Sequence, residues 1–507
     1  MSNWLYGAIE AAIPDRRKTL VELADGARNS YGDVFDLAGK LAAHLVRRGV
    51  VPGDRVAVQV EKSWQNLALY LACLRAGAAY LPLNTAYPLA ELEYFLGDAE
   101  PAFVVARPES EGGVGRLCRK LGKAAVEGLG SNGEGSLLKA AADAVPAPAA
   151  SRGRDDLAAI LYTSGTTGRS KGAMLTHDNL LSNARVLVDY WRFTDRDVLL
   201  HALPIFHTHG LFVACNTSLL SGGSMIFLSK FDAGEVMRLM PKATVMMAVP
   251  TFYVRLLEEP ALTCETTRHM RLFTSGSAPL LAETHRAFFE RTGHAILERY
   301  GMTETNMNTS NPYDGDRVPG TVGFPLPGVE LRVADADGRA LAQGEIGVIE
   351  VRGPNIFKGY WRMPEKTKAE FRPDGFFITG DIGTVDARGY VHIAGRAKDL
   401  VITGGYNVYP KEVEMEIDAI EGVVESAVIG VPHPEFGEGV TAVLVCEKGA
   451  DLAEADVLAA LKDRLAKFKQ PKRVFFVDEL PRNTMGKVQK NVLREENRDL
   501  YVSLRAH

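Results

Sequence analysis

The chain has 507 residues, 46% hydrophobic and 24% charged. At roughly 150 residues per domain it holds more than one core, and that composition fits neither a mainly disordered chain nor a disulfide-stapled miniprotein. Lys plus Arg number 58 against 63 Asp plus Glu, a formal net charge of −5, which argues against a protein that coats nucleic acid or anionic lipid. The five cysteines, Cys73, Cys118, Cys215, Cys264 and Cys446, are far apart and form no CxxC pair, the pattern of reduced thiols in a reducing compartment. No run of about 18 apolar residues occurs, and Met1-Ser2-Asn3-Trp4-Leu5 places no basic region ahead of an apolar one. The expectation is a cytoplasmic enzyme or binding protein with no nucleic-acid or membrane partner.

In chain order, Arg55 to Val60 reads as a buried strand and Trp64 to Ala76 as an amphipathic helix, with Ala76-Gly77 and Leu81-Pro82-Leu83-Asn84 punctuating. That rhythm continues and predicts α/β layers with substantial parallel sheet. Ala140 to Ser151, rich in Pro and Ala, reads as a surface loop. After Tyr390 the texture changes. Gly395-Arg396-Ala397-Lys398-Asp399 is a polar turn between apolar strands. Beyond it come a helix (410–420), strands (423–431 and 440–446), a helix (454–467) and a basic tail. This suffices for a small α+β domain, so the expected division is 1–395 and 396–507.

Tyr162-Thr163-Ser164-Gly165-Thr166-Thr167-Gly168-Arg169-Ser170-Lys171-Gly172 follows the apolar strand 157–161. Its dense glycines and hydroxyls present N–H and O–H donors to an anion, and Lys171 adds charge. It is not a Walker loop: Lys171 lacks the glycine spacing and the following Ser or Thr. The plain alternative is a surface turn.

This loop resembles the signature of the adenylate-forming superfamily, which comprises acyl-CoA synthetases, luciferases and peptide-synthetase adenylation domains. Four further stretches match in order: Tyr300-Gly301-Met302-Thr303-Glu304, Thr379-Gly380-Asp381, the hinge-like Gly395-Arg396-Ala397-Lys398-Asp399, and Asn483-Thr484-Met485-Gly486-Lys487. The resemblance implies an α/β fold with a large N-terminal αβαβα-layered domain, partly barrel-like, and a small mobile α+β C-terminal domain. It implies a two-step reaction. A carboxylate attacks the α-phosphate of ATP, and coenzyme A then displaces AMP. ATP and AMP are expected at Thr163, Ser164, Gly165, Thr166, Thr167, Gly168, Lys171, Gly276, Ser277, Ala278, Pro279, Tyr300, Gly301, Met302, Thr303, Asp381, Arg396 and Lys487. Lys487 offsets the repulsion of two approaching anions. Glu304, a hard oxygen ligand, and Thr166 are expected at Mg²⁺. Thr303 donates to a phosphate oxygen, and Asp381 and Arg396 hold the ribose. Within Leu203-Pro204-Ile205-Phe206-His207-Thr208-His209-Gly210, His207 is the expected gate of the acyl pocket; two histidines at i, i+2 without a further Cys/His cluster make a poor zinc site. Lys398 is the expected hinge. Gly404, Gly405 and Tyr406 are expected along coenzyme A, with Lys462, Arg464, Lys467, Lys469, Lys472 and Arg473 toward its phosphates or simply solvated.

Arg299 departs from the small residue that many family members carry before Tyr-Gly-x-Thr-Glu. A buried guanidinium needs a partner, and a second carboxylate on the substrate would supply one through a bidentate fork. Arg255 and Ser277 are expected in the same pocket; the alternative for Arg299 is a surface ion pair with Glu298. The chain as a whole resembles the malonyl-CoA synthetases. The implied activity is ATP-dependent ligation of malonate to coenzyme A, with methylmalonate also admissible, in a monomer or homodimer. A lysine acyltransferase and deacylase acting on Lys487 would be partners. The rival readings are a synthetase for an uncharged fatty or aromatic acid, an adenylation domain serving a carrier in trans, and a non-catalytic nucleotide-binding protein.

Overall fold

The structure is a computed structural model and describes residues 3–122, 125–163, 170–404, 406–462, 464–483 and 486–501. Two compact units emerge. One comprises residues 1–330 and 351–377, the other 331–350 and 378–507.

The first unit is built on two sheets. In the seven-stranded sheet, the strands Arg55–Gln59, Ala79–Pro82, Phe103–Ala106 and Val126–Gly128 run parallel, and Leu157–Thr163 pairs antiparallel with Lys171–Thr176. In the nine-stranded sheet, Leu297–Met302, Leu272–Ser275, Val245–Ala248, Val198–His201 and Ser224–Phe227 are neighbours in that order, all parallel. Asn306–Ser310 then turns back antiparallel on Leu297–Met302. The predicted helix forms as Trp64–Ala76, with Ser63 accepting at its N-cap and Gly77, in the left-handed region at φ 75°, ending it. It is buried on nearly every face, Gln65 and Asn66 included, so the amphipathic reading is corrected: a helix packed on all sides has no solvent face for polar residues to occupy. Each fully buried leucine in it, Leu67, Leu69, Leu71 and Leu74, contributes about 1.5–3 kcal/mol of transfer free energy.

The second unit carries a four-stranded sheet, 330–334, 347–352, 377–385 and 391–396, most of whose residues fall in it. Its other sheet places Gly437–Cys446 at the centre, paired with Val423–His433, with Val401–Thr403 and, in parallel, with Arg473–Phe476. One face packs Val413, Ile417, Val457 and Leu461; the other packs Leu480, Leu493 and Tyr501.

Several expectations shift. The residue-396 boundary falls inside the second unit, because the ladder Asp381↔Arg396 through Val385↔Val391 ties 391–396 to 377–385. The helix expected over 454–467 ends at Leu461, after which the Gln470 side chain donates to the Lys462 and Leu465 carbonyls. The helix expected over 410–420 spans Pro410–Asp418, with proline at its first turn. No helix among the described residues is long and apolar enough to cross a membrane.

Candidate functional site

Parallel strands present their carboxyl ends along one edge, where α/β sheets bind ligands. Here that edge carries His201, Ala248 and Ser275, and the chain leaving Ser275 becomes Gly276-Ser277-Ala278-Pro279. Arg299 lies across this edge. It is 3% exposed, and its Nε and Nη2 have no hydrogen-bond partner. A Cβ on Gly276 would sit 2.2 Å from its Nη1, so glycine there is what lets the guanidinium lie against the backbone. Burial pushes its pKa down to about 9, opposed slightly by Tyr253, and it keeps its charge at neutral pH. The alternative pairing with Glu298 does not form. Neighbouring strand residues face opposite ways, and the Glu298 carboxylate accepts instead from the Gly320 N–H at 3.1 Å.

The other donors around Arg299 come from distant sequence. His209 is buried, with Nδ1 3.2 Å from Ser277 Oγ and Nε2 without a partner. Burial first, then the nearby Arg299 cation, hold its pKa well below the usual imidazole value, so the ring is neutral. The ring proton sits on Nε2 in the tautomer whose Nδ1 accepts from Ser277, and on Nδ1 in the one that donates to Ser277. His201 braces the turn: its Nε2 donates to the Gly210 carbonyl at 2.9 Å while Nδ1 accepts from Lys62 at 2.9 Å. Thr208 Oγ1, Thr274 Oγ1 and Ser275 Oγ are also buried without partners. Buried polar atoms ordinarily find partners, and the unpartnered Nε and Nη2 of Arg299 with the neighbouring His209 make a donor set an anion would complete.

Two sequence expectations change here. Arg255 is exposed, its guanidinium 4.9 Å from the Phe231 ring centroid. The residue of helix Pro250–Leu257 that turns inward is Tyr253, whose hydroxyl donates to the Thr274 carbonyl at 2.8 Å; two residues along a helix is about 200° of rotation. His207, the expected gate, is half-buried, and its Nδ1 accepts from the His209 N–H at 3.3 Å. His209, not singled out from sequence, is the histidine at Ser277. The only signal for it was its place in His207-Thr208-His209.

The expected phosphate loop, Ser164, Gly165, Thr166, Thr167 and Gly168, lies outside the described residues. Its flanks are in register, Thr163 opposite Lys171. Lys171 Nζ is 3.2 Å from Glu370 and 4.2 Å from the Tyr360 ring centroid. The Tyr360 hydroxyl is 2.7 Å from Glu370 and 3.0 Å from Oε1 of Glu304, which is 5% exposed. Lys366 reaches Glu370 at 2.8 Å. Tyr360 and Glu370 went unnoticed in the sequence; pairing of Gly359–Tyr360 with Lys171–Thr176 is what brings them here. Tyr300, Gly301 and Met302 form the strand that leads into the tight turn holding Thr303 and Glu304. A Cβ on Gly301 would fall 1.8 Å from the Asn306 carbonyl oxygen, so the motif's glycine is required by the hairpin itself. For Mg²⁺ the chemistry fits: the ion keeps waters and takes one or two carboxylates plus phosphate oxygens. Glu304 offers one such carboxylate, and no cluster of three His, Cys, Asp or Glu ligands exists among the described residues.

In the second unit, Asp381 is buried and receives Arg396 Nε at 2.6 Å. Its N–H donates to Thr379 Oγ1 at 3.0 Å, and that hydroxyl donates to the Ile349 carbonyl. Lys398 is exposed in the turn Ala397–Asp399. Lys487 is exposed as a residue, yet crowding of its ammonium lowers its pKa. Desolvation leads, the Arg396 and Lys398 cations add to it, and Asp381 and Asp399 oppose it. Gly404 takes φ 57° at the tip of a hairpin, and Tyr406, 58% exposed, stacks on Phe468 with centroids 4.6 Å apart; Gly405 lies outside the described residues. Of the basic set, Lys469 pairs with Glu412, Arg473 with Glu454 and Arg464 with Glu416. Lys462, Lys467 and Lys472 have no acidic partner among the described residues, and Lys472 Nζ sits 3.9 Å from the Phe436 centroid.

Comparison with known proteins gives the family of the chain. Residues 10–361 match the family described as AMP-binding enzyme, and residues 412–487 match the AMP-binding enzyme C-terminal domain. A feruloyl-CoA synthase of Amycolatopsis sp is 37% identical over 92% of this chain and 94% of its own. A malonate–CoA ligase of Arabidopsis thaliana is 33% identical over 93% of this chain and 85% of its own. Among solved structures, ATP-bound MatB from Rhodopseudomonas palustris is 65% identical with a TM-score of 0.97, covering 99% of this chain and 100% of that one.

Proposed function

The chain belongs to the AMP-binding enzyme family, and from that premise we propose that it ligates malonate to coenzyme A in an ATP-dependent, AMP-forming reaction. The relatives include a feruloyl-CoA synthase at 37% identity, but malonate–CoA ligases are among them and the MatB structure is 65% identical. The observation that carries the choice is Arg299: a buried guanidinium with two unpartnered nitrogens, beside a neutral His209 and Ser277. An uncharged acyl tail there would leave the cation desolvated and unpaired. The distal carboxylate of malonate accepts from the fork and from Nε2–H of His209, the tautomer in which Ser277 donates to Nδ1 and orients the ring. Methylmalonate differs by one methyl, worth about 1–3 kcal/mol of discrimination, and is a second substrate.

In the first step a substrate carboxylate oxygen forms a bond to the α-phosphorus as the bond to pyrophosphate breaks. Lys487 carries the charge that offsets repulsion between the two anions. Glu304 holds Mg²⁺, which neutralises phosphate charge when bound; Lys171 and Thr303 contact phosphate oxygens, with Thr163 through Gly168 cradling the rest. Asp381 accepts from the ribose hydroxyls with Arg396 holding the carboxylate in place, and Gly276 through Pro279 with Tyr300 flank adenine. His207 lines the acyl entrance. In the second step the coenzyme A sulfur attacks the acyl carbon and AMP leaves; the C-terminal domain pivots at Lys398 between steps, and Gly404 and Tyr406 line the pantetheine arm. Acylation of Lys487 by a lysine acyltransferase, reversed by a deacylase, cancels its charge and stops the first step. The protein acts as a cytoplasmic monomer or homodimer.

The test is pyrophosphate release with malonate, methylmalonate, propionate and ferulate, each with and without coenzyme A. Malonate is expected to give the highest kcat/KM, with coenzyme A required for sustained turnover. A preference for propionate or ferulate would overturn the dicarboxylate assignment.

A further inference from the structure

Lys487 is reached through a short hairpin whose own backbone holds it only locally. Arg482 bridges Val488, the Asn483 N–H donates to the Lys487 carbonyl at 2.9 Å, and the Lys487 N–H donates to Asn483 Oδ1 at 3.0 Å. Arg482 also donates to the Gly486 carbonyl at 2.6 Å. A hairpin of this size is marginal in water on its own, and a long lysine has rotamer freedom worth about 2 kcal/mol to lose. Something else must fix its direction.

A cation flanks the hairpin on each side, Arg482 in its closing bridge with Val488 and Lys490 at the start of the helix Lys490–Glu496, and each is seated on a carboxylate of the C-terminal core. On the entering side, Arg482 pairs with Glu425, on strand Val423–His433. On the leaving side, Lys490 pairs with Glu414 at 2.5 Å. Glu414 is buried on the helix Pro410–Asp418, and Oε1 of the same carboxylate accepts the Val428 N–H at 2.9 Å. Helix and strand are packed through Val413, Ile417 and Val428, so the two anchors are rigid relative to each other. Charged hydrogen bonds of this kind are the strong ones, and two of them at opposite ends of one loop restrain its tilt as a single one could not.

We propose that Glu414 and Glu425 are positioning residues for Lys487, clasping its hairpin through Lys490 and Arg482 so that the ammonium is presented for the adenylation step. The proposal rests on the adenylating role of Lys487, and the two are separable by experiment.

The variants are Glu425→Gln, Glu414→Gln with Lys490→Met to avoid stranding a buried cation, the charge swap Glu425→Arg with Arg482→Glu, and Lys487→Ala. Two half-reactions are measured on each: pyrophosphate release from malonate and ATP, and thioester formation from pre-made malonyl-adenylate and coenzyme A. Glu425→Gln and the Glu414/Lys490 double variant are expected to lose adenylation about tenfold, with thioester formation within about twofold of the parent. The charge swap is expected to restore most of the adenylation rate. Equal losses in both half-reactions, or no loss in either, would overturn the clasp. Lys487→Ala reports on the underlying reading: if it impairs both half-reactions equally, the role given to Lys487 falls, whatever the clasp variants do.

Discussion

Arg299 holds a charge in a place that charge does not tolerate alone. Its burial, its two unpartnered nitrogens and the glycine beneath it describe a cation waiting for an anion. Arg299→Ala removes a charge-assisted fork, and hydrogen bonds to charged groups contribute about 1.5–3 kcal/mol each. The expected loss in kcat/KM for malonate is at least tenfold and up to several hundredfold. Propionate, with no second carboxylate, is expected to change little or improve. ATP binding, measured by titration calorimetry, is expected to stay near the parent value, since Asp381 and Tyr300 are untouched. Equal losses for malonate and propionate would make Arg299 structural. Residue identity was legible here because a charged side chain before Tyr300-Gly301 is conspicuous in the chain. Its partners were not: His209 differs from His207 only in which way two neighbouring side chains point, and Tyr253 differs from Arg255 by about 200° around a helix.

At the scale of an element, the turn Ala397–Asp399 matters most. It sits between the ladder that ends at Arg396 and the hairpin that begins at Val401, and Asp399 is tied to Arg494 at 2.7 Å. A pivot there needs free backbone torsions at Lys398. Proline would lock φ near −65° and restrict Ala397 as well. Lys398→Pro is expected to leave malonyl-adenylate formation largely intact and to slow transfer to coenzyme A by orders of magnitude, read by single-turnover assays of each half-reaction. Unchanged overall turnover would remove the pivot. Some elements were legible because Gly/Pro punctuation bounds an apolar run locally, as in 64–76, whereas the strands that carry the Arg299 site were given no bounds from sequence. The helix after Glu454 was overextended, because its later residues keep helical composition while Gln470 turns its side chain back on the carbonyls after Leu461.

At the scale of the whole molecule, stability should carry a pH signature from Asp418. Burial raises its pKa to about 6 from 3.8, with Glu414 and Glu425 adding to the shift and the Ser426 hydroxyl, 2.6 Å away, opposing it. An acid whose pKa is raised on folding takes up a proton in the folded state that the unfolded state lacks. Its unfavourable contribution is therefore absent below about pH 4, grows as pH rises toward 6, and is constant above that. Asp418→Asn keeps the oxygen that accepts from Ser426 and removes the charge. It is expected to stabilise the protein by on the order of 3 kcal/mol at pH 7.5, with the gain vanishing near pH 4, as measured by urea unfolding at both values. A gain that persists at pH 4 would mean the effect is packing rather than ionisation.

The linear sequence by itself determined the family and the short motifs, because turns such as Thr303-Glu304 after Tyr300-Gly301 need contiguous residues with particular backbone freedom: a side chain at Gly301 would strike the Asn306 carbonyl. Only the tertiary structure decided what converges. Lys171, Glu304, Tyr360 and Glu370 are separated by up to 199 residues, and strand pairing, not local pattern, makes them neighbours. The same holds for Arg299 over Gly276 and for the carboxylates that seat Arg482 and Lys490. Local sequence specifies torsions and faces, whereas electrostatic partnership depends on which faces the packed sheets bring within a few ångströms, and that is a property of the folded chain.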